Sequence, residues 1–171
     1  MTIAICNAGP LIALGKLNRL ELLTELFGQV RIPRAVYTEA VTQGLALGMP
    51  DARTIRIFWQ TKGWPIIEVS AATLAAYKPP VILDPGETAV LALAQTLSDA
   101  LVLLDDETAR AEARRLKLHV QGTLGVLAQA YRAGVLSFPE VELLLQEVAA
   151  RPDIWISAKL CELVLQALRV S

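Results

Sequence analysis

The chain has 171 residues, of which 54% are hydrophobic and 19% charged, which is enough apolar material for the core of one folded domain. A formal net charge of -1 excludes the strongly basic class of nucleic-acid-binding domains, so contact with a nucleic acid requires a local patch. No stretch stays apolar for the about 20 residues of a membrane span, and no basic signal-peptide region precedes the first apolar run, so we expect a cytoplasmic protein without membrane contact.

Short apolar runs alternate with longer helical stretches, a rhythm typical of βαβ units and a parallel sheet. The N-terminal half predicts strands at 2–6, 30–32 and 64–69. It predicts helices at 10–27, 34–43, 51–62 and 70–77. Asn18 is expected to divide the first helical stretch and Gly28 to end it. Pro33 is expected to open the next helix, and Asp51 to cap the one after it.

The C-terminal half continues the alternation. Asp84 begins a helix that runs to about Leu97, and an apolar strand at 101–104 ends in Asp105 and Asp106. A helix at 107–117, a strand at 118–120 and a helix from 123 to about 134 follow. Helices at 139–149 and 157–168 form a C-terminal extension, from about 136 to 171, that we expect to pack on the same domain. The sequence therefore predicts one α/β domain over residues 1–171.

Oxygen-bearing side chains follow several of the predicted strands. Asn7 ends the first strand, and Asp105 and Asp106 end the strand 101–104. Glu87 lies in the first turn of the helix leading into that strand, and Glu39 lies in the helix after the second strand. Ligands bind beyond the carboxyl ends of open parallel sheets, and oxygen-only sets suit Mg²⁺ and Mn²⁺. Two carboxylates about 4 Å apart repel by about 4 kcal/mol near a protein surface, a cost that a cation removes.

Each of these residues also has an ordinary structural role open to it. Glu87 at a helix start suits the helix dipole, and either Asp105 or Asp106 can cap the following helix. Glu39 can be a solvated helix residue. The sequence alone leaves both interpretations open.

Other kinds of site find little support. His119 is the single histidine, and Cys6 and Cys161 lie at opposite ends of the chain, which argues against a zinc site and a serine triad. The glycines form neither a dinucleotide-binding fingerprint nor a phosphate-binding loop. With no export signal, we expect both cysteines to be reduced thiols in the core.

Five short motifs follow one another between residues 2 and about 135. They are NAGPLIAL at 7–14, Ile32-Pro33 with Val36 and Glu39, DPGETA at 84–89, LLDD at 103–106 with Arg110 and Ala113, and GTLGVL at 122–127. This ordered set resembles the motifs of PIN domains of the VapC-like kind. The C-terminal helical stretches resemble those of one PIN subfamily, DUF3368.

The resemblance implies a single-domain, three-layer α/β/α fold with a central, mainly parallel sheet and an acidic pocket for Mg²⁺ or Mn²⁺. It implies endonucleolytic cleavage of single-stranded RNA, commonly by a toxin that is paired with a small antitoxin protein, and a homodimer. Matched position by position, the four acidic positions of the family are occupied by Asn7, Glu39, Glu87 and Asp106. Asp105 is adjacent and can share the role of Asp106.

Asn7 departs from the family pattern, which has aspartate at this position. Its side chain offers a neutral carbonyl oxygen in place of a carboxylate, so we expect weaker metal binding and an attenuated nuclease. The alternative is a PIN-fold module with little or no catalysis that binds RNA or a protein partner.

Three residues near the acidic positions are predicted to contact RNA. Arg110 and Arg114 are four apart in one helix and so share a face, from which they can reach phosphates. Thr123 is expected to cap the next helix, whose N-terminus is a second place for a phosphate.

Overall fold

The computed structural model describes residues 2–171, so that only Met1 of the predicted domain lies outside the described residues. Five strands form one sheet in which every pairing is parallel. They are β1 (Ile3–Cys6), β2 (Val30–Pro33), β3 (Ile66–Ile67), β4 (Ala100–Leu103) and β5 (His119–Gln121). The strand order is β3-β2-β1-β4-β5.

Helices flank the sheet and complete the predicted three-layer α/β/α fold, which is confirmed. The first six are α1 (Ala8–Lys16), α2 (Glu21–Phe27), α3 (Arg34–Tyr37), α4 (Gly44–Ala46), α5 (Pro50–Lys62) and α6 (Ala71–Ala76), with a π-helical segment at Thr38–Gln43 between α3 and α4. The rest are α7 (Pro85–Ala94), α8 (Glu107–Arg115), α9 (Thr123–Arg132), α10 (Phe138–Ala150) and α11 (Ala158–Arg169).

The strand order creates a switch point between β1 and β4. The chain steps from β1 outward to β2 and β3, then returns to the other side of β1 for β4 and β5. In the register of these two strands Cys6 lies opposite Leu103, and the Asn7 amide donates to the Leu103 carbonyl at 3.0 Å. Crossovers that leave in opposite directions open a crevice at the carboxyl ends of the two strands, and Asn7 stands at this crevice.

The core is one continuous apolar cluster on both faces of the sheet. The two cysteines are buried, free thiols in it, as predicted. Helices α10 and α11 pack on each other and on α9, so the C-terminal stretch joins the same body. Within residues 2–171 no helix combines the length and the apolar character needed to span a bilayer.

Local boundaries follow the predicted signals with a few differences. Asn18 takes a positive φ of 54° between α1 and α2, and Gly28 ends α2 with a φ of 72°. The predicted cap at Asp51 is wrong: Met49 holds the N-cap position and Pro50 the first helical position, because the fixed φ of proline begins the helix one residue earlier. Strand 64–69 shortens to its two central residues at the sheet edge. The helix predicted at 34–43 contains the π-helical segment, which carries Glu39.

Candidate functional site

Asn7 stands at the end of β1, where it begins α1. Its backbone is extended and its side chain makes no capping bond to the helix. The residue is 5% exposed, and its Oδ1 atom is buried without a hydrogen-bond partner. A buried acceptor left unpaired costs about 1–3 kcal/mol, so this oxygen is a place where a bound group would stabilise the fold.

Gly86 lies close to Asn7 Oδ1. A Cβ atom at this position would be 3.0 Å from Asn7 Oδ1, 3.1 Å from Glu39 Oε2 and 3.3 Å from Asp84 Oδ1. Three oxygens therefore surround one point, and they come from the end of β1, the π-helical segment and the start of α7. Only glycine leaves them this close without a shift, since real Cβ atoms rarely have neighbours nearer than about 3.4 Å.

The sequence DPGE explains why two carboxylates stand at the start of α7. The Glu87 amide donates to Asp84 Oδ1 at 2.7 Å, and the Asp84 amide donates to Glu87 Oε2 at 3.0 Å. This reciprocal capping box, with Pro85 in the first turn, fixes the helix start. It also holds both carboxyl groups beside the crevice, and Glu87 is 8% exposed.

These acidic side chains interact unfavourably with one another. Burial raises the pKa of Glu87 and is the largest cause, while the charges of Asp84, Asp106 and Glu39 raise it further against one backbone hydrogen bond that lowers it. Partial burial and the charge of Asp84 likewise raise the pKa of Glu39, whose side chain is exposed at the crevice. We call Glu39, Asp84, Glu87 and Asp106 the acidic group.

The adjacent aspartates Asp105 and Asp106 have different surroundings. Both carboxylate oxygens of Asp105 accept bonds from Thr123, from its amide at 2.7 Å and from its hydroxyl at 2.6 Å. Asp106 Oδ1 caps α8 by accepting from the Ala109 amide at 2.9 Å, and its charge acts on Glu87. Asp105 thus ties β4 to α9, whereas Asp106 belongs to the acidic group.

The three residues that were predicted to contact RNA differ in their burial and in their hydrogen-bond partners. Thr123 is fully buried and Gly122 takes the N-cap position, so the prediction that Thr123 caps α9 is wrong. Its hydroxyl donates to Asp105, and its contact with RNA stays a prediction. Arg110 is partly buried beside Asp105, and its Nε atom is buried without a partner. Arg114 is about half exposed and pairs with Glu107 at 3.0 Å.

An open cleft of about 680 Å³ adjoins the acidic group. Glu39, Asp105 and Asp106 line one part of it, and residues 153–156 line another. Trp155 in that second part is 94% exposed, between the buried Ile154 and the partly buried Ile156. Its segment is tied down, because the Lys16 ammonium donates to the Asp153 carbonyl at 2.6 Å.

The donors at this site suit a hard divalent cation in their chemistry. Within residues 2–171, no three Asp, Glu, His or Cys side chains come together closely enough to hold a metal ion by themselves. Mg²⁺ does not need one, since it keeps several waters and usually takes one or two carboxylates. The unpaired Oδ1 of Asn7 beside Glu39 and Asp84 offers such an incomplete set, so the residues present fit the ion.

Asp84 is the member of this set that the sequence did not single out. Its position three residues before Glu87 is the signature of a helix cap, and that role explains the residue fully at the level of sequence. Its approach to Asn7 and Glu39 depends on how α7 packs on β1 and β2, which no local pattern encodes.

The comparisons with known proteins agree with this architecture. The family model DUF3368, described as a PIN domain, matches residues 3–169, which is nearly the whole chain. Neither the curated proteins nor the solved structures gave a match. The ordered motifs, the parallel sheet with its switch point and the family match all agree: the chain belongs to the DUF3368 family of PIN domains, whose fold is of the nuclease type.

Proposed function

We propose that the chain is a metal-dependent endoribonuclease that cuts single-stranded RNA with Mg²⁺ or Mn²⁺. The observation that carries the proposal is the unpaired, buried Oδ1 of Asn7, which faces Glu39 and Asp84 over Gly86. Carboxylates held close together repel one another, and a divalent ion bound between these oxygens would relieve the repulsion.

The residues of the site have separate roles in this proposal. Asn7, Glu39, Glu87 and Asp106 would hold the cation, with Asp105 keeping the end of β4 in place through Thr123. When bound, the cation supplies positive charge that stabilises the charge developing on a phosphodiester. Glu39 also lines the cleft, so its carboxylate lies beside the space that the substrate would occupy.

The cleft supports a single-stranded substrate. An exposed tryptophan offers a flat face on which an unpaired base can stack, an interaction worth about 1–3 kcal/mol per base, and Trp155 lines the same cleft as Glu39 and Asp106. Arg110 and Arg114 lie on α8, about one and two turns after Asp106, and are the candidates for phosphate contacts.

Partners and biological role follow the same proposal. We place the chain in the cytoplasm as the toxin of a toxin–antitoxin pair, held inactive by a small antitoxin protein. The homodimer is supported by exposed leucines on the C-terminal helices, namely Leu143, Leu160 and Leu163.

The second candidate function is a PIN-fold module that binds RNA or a protein with little or no catalysis. Asn7 favours it, because the site holds an amide where the family pattern has a carboxylate.

Cleavage of a labelled single-stranded RNA with Mn²⁺ tests the proposal. We expect the wild-type chain to cut, and Glu87→Gln and Asp106→Asn to lose about 100-fold or more, since several kcal/mol of charge stabilisation depend on the cation. Both substitutions keep the helix caps, because glutamine and asparagine accept the same backbone bonds. Glu68→Gln, in an exposed ion pair with Arg34, is the matched control and should cut like the wild type.

Three outcomes are informative. Cutting that survives both acidic-group substitutions would show a contaminating or unrelated activity. RNA binding without cutting, at any Mn²⁺ concentration, would replace the nuclease with the binding module. Loss in the two variants and retention in Glu68→Gln would establish the nuclease.

A further inference from the structure

We propose that Asp84 is a cation ligand that takes the place of the carboxylate missing at position 7. The proposal rests on the proposed function, because it assumes a divalent cation at the acidic group. It adds a residue that the ordered motifs do not place among the acidic positions.

The first argument is position. A Cβ atom added to Gly86 would lie 3.3 Å from Asp84 Oδ1, 3.0 Å from Asn7 Oδ1 and 3.1 Å from Glu39 Oε2. The three oxygens therefore border the same small space. Asn7 is 5% exposed and its oxygen has no partner, so this amide faces a space where a ligand would satisfy it. Asp84 thus contributes a carboxylate oxygen to the space that Asn7 and Glu39 also border.

The second argument is that the helix cap does not require a carboxylate. Helix α10 begins with the same reciprocal box, in which the neutral Ser137 takes the place of Asp84 and Glu140 that of Glu87. Serine and aspartate cap helices about equally well. The cap of α7 needs only an acceptor at Asp84 Oδ1, so the negative charge adds no more than its interaction with the helix dipole, about 0.3–1 kcal/mol.

The third argument is electrostatic cost. At α7 the charge of Asp84 acts against both Glu39 and Glu87, whereas Ser137 at the same position of α10 adds no charge. In the metal-free protein the charge of Asp84 is therefore unfavourable to its two acidic neighbours. The carboxylate has a use once a cation is bound, because it supplies beside Asn7 the negative charge that the amide lacks.

Calorimetric titration of Mn²⁺ into the full chain tests the proposal. We expect Asp84→Asn and Asp84→Ser to bind Mn²⁺ about tenfold or more weakly than the wild type, a loss of about 1.4 kcal/mol. Asn7→Asp alone should bind more tightly. In the Asp84→Asn background, Asn7→Asp should return the affinity to about that of the wild type, because the two positions supply the same charge to the same point.

Folding is checked by thermal melts without divalent ions, where Asp84→Asn and Asp84→Ser should melt at or above the wild-type temperature. Glu68→Gln is the control for removal of one negative charge elsewhere, and should bind Mn²⁺ like the wild type. Equal Mn²⁺ affinity in Asp84→Asn and the wild type would overturn the proposal, and so would the absence of Mn²⁺ binding by the wild type.

The outcomes separate this inference from the nuclease. Binding of Mn²⁺ that depends on Asp84, in a chain that cuts no RNA, supports the ligand and refutes the nuclease. Metal-dependent cutting with Mn²⁺ affinity unchanged in Asp84→Asn refutes the ligand and leaves the nuclease in place.

Discussion

Two glutamates of this chain are almost equally hidden from solvent and have opposite surroundings. Glu87 is 8% exposed and Glu112 is 3% exposed. The neighbours of Glu87 include Asp84, Asp106 and Glu39, whose charges oppose its own. Glu112 accepts two bonds from Arg115, at 2.7 and 2.8 Å, and one from the Tyr77 hydroxyl at 3.0 Å.

The pKa values of the two carboxyl groups move in opposite directions. Hydrogen bonds from Arg115 are the main cause that lowers the pKa of Glu112, and burial is the main cause that raises the pKa of Glu87. Glu112 lies near the surface under the side chains of Tyr77 and Arg115, which cover it and satisfy it. Burial of an acid is therefore no sign of a functional site by itself, whereas burial among like charges is such a sign.

The largest expected effect is on stability, and it has opposite signs at the two glutamates. Glu112→Gln should lower the free energy of unfolding by about 2 kcal/mol, or about 6 °C in Tm, because charged hydrogen bonds to Arg115 and Tyr77 are weakened. Glu87→Gln should leave the metal-free Tm unchanged or raise it, because it removes one charge from the acidic group. Thermal melts in a chelator measure both.

Equal losses of stability in Glu112→Gln and Glu87→Gln would contradict the comparison, because they would make Glu87 a structural acid like Glu112. The control variant Glu68→Gln, at an exposed pair, should shift Tm by little, since such pairs contribute about 0–1 kcal/mol.

The next effect tests why the oxygens of the acidic group can approach one another. In Gly86→Ala, the new Cβ would lie 3.0 Å from Asn7 Oδ1 and 3.1 Å from Glu39 Oε2, which must move apart. We expect Mn²⁺ binding to weaken about tenfold, or about 1.4 kcal/mol, without any change of charge. The metal-free Tm should change little, because alanine suits a helix better than glycine does.

Mn²⁺ affinity that stays at the wild-type value in Gly86→Ala, measured by calorimetry, would mean that the cation does not use the oxygens over Gly86. A large drop in the metal-free Tm would instead assign the glycine to packing of α7.

The fold could be predicted from the sequence because it depends on patterns that repeat along the chain. Alternating apolar runs and helical stretches indicated a parallel sheet, and Asn7 and Asp106 were singled out because residues after parallel strands share one edge. Both strands proved to be neighbours, with Cys6 opposite Leu103. Two boundaries differ from those that local sequence signals predicted. Helix α5 begins at Pro50 instead of Asp51, and β3, at the sheet edge, covers only two residues.

The separate roles of the acidic residues could not be predicted, because each role depends on hydrogen-bond partners that lie far away in the sequence. Asp105 differs in role from Asp106 because it accepts hydrogen bonds from Thr123, which lies 18 residues further along the chain. Glu112 has a structural role because it accepts a hydrogen bond from Tyr77, which lies 35 residues earlier in the chain. Asp84 was hidden by its own capping role, which accounts for it until the packing of α7 on the central strands is known.

The smallest expected effect is on how stability varies with pH, and it compares the same two glutamates. A lowered pKa means that Glu112 contributes stability above its unfolded pKa, near about 4.3, and loses it as the pH falls through its folded value. A raised pKa means that Glu87 contributes stability below its unfolded pKa and loses it as the pH rises through its folded value.

Urea melts in a chelator, from about pH 3 to neutral pH, would measure both contributions against the wild type. The deficit of Glu112→Gln should shrink as the pH falls below about 4, through the folded pKa of Glu112, and any gain of Glu87→Gln should grow as the pH rises above about 4. Saturating Mn²⁺ should abolish the gain of Glu87→Gln and leave the deficit of Glu112→Gln unchanged, because a cation compensates only the acidic group. A gain at Glu87→Gln that persists with Mn²⁺ would place the cation away from Glu87, and the two buried glutamates would then differ in charge surroundings without differing in function.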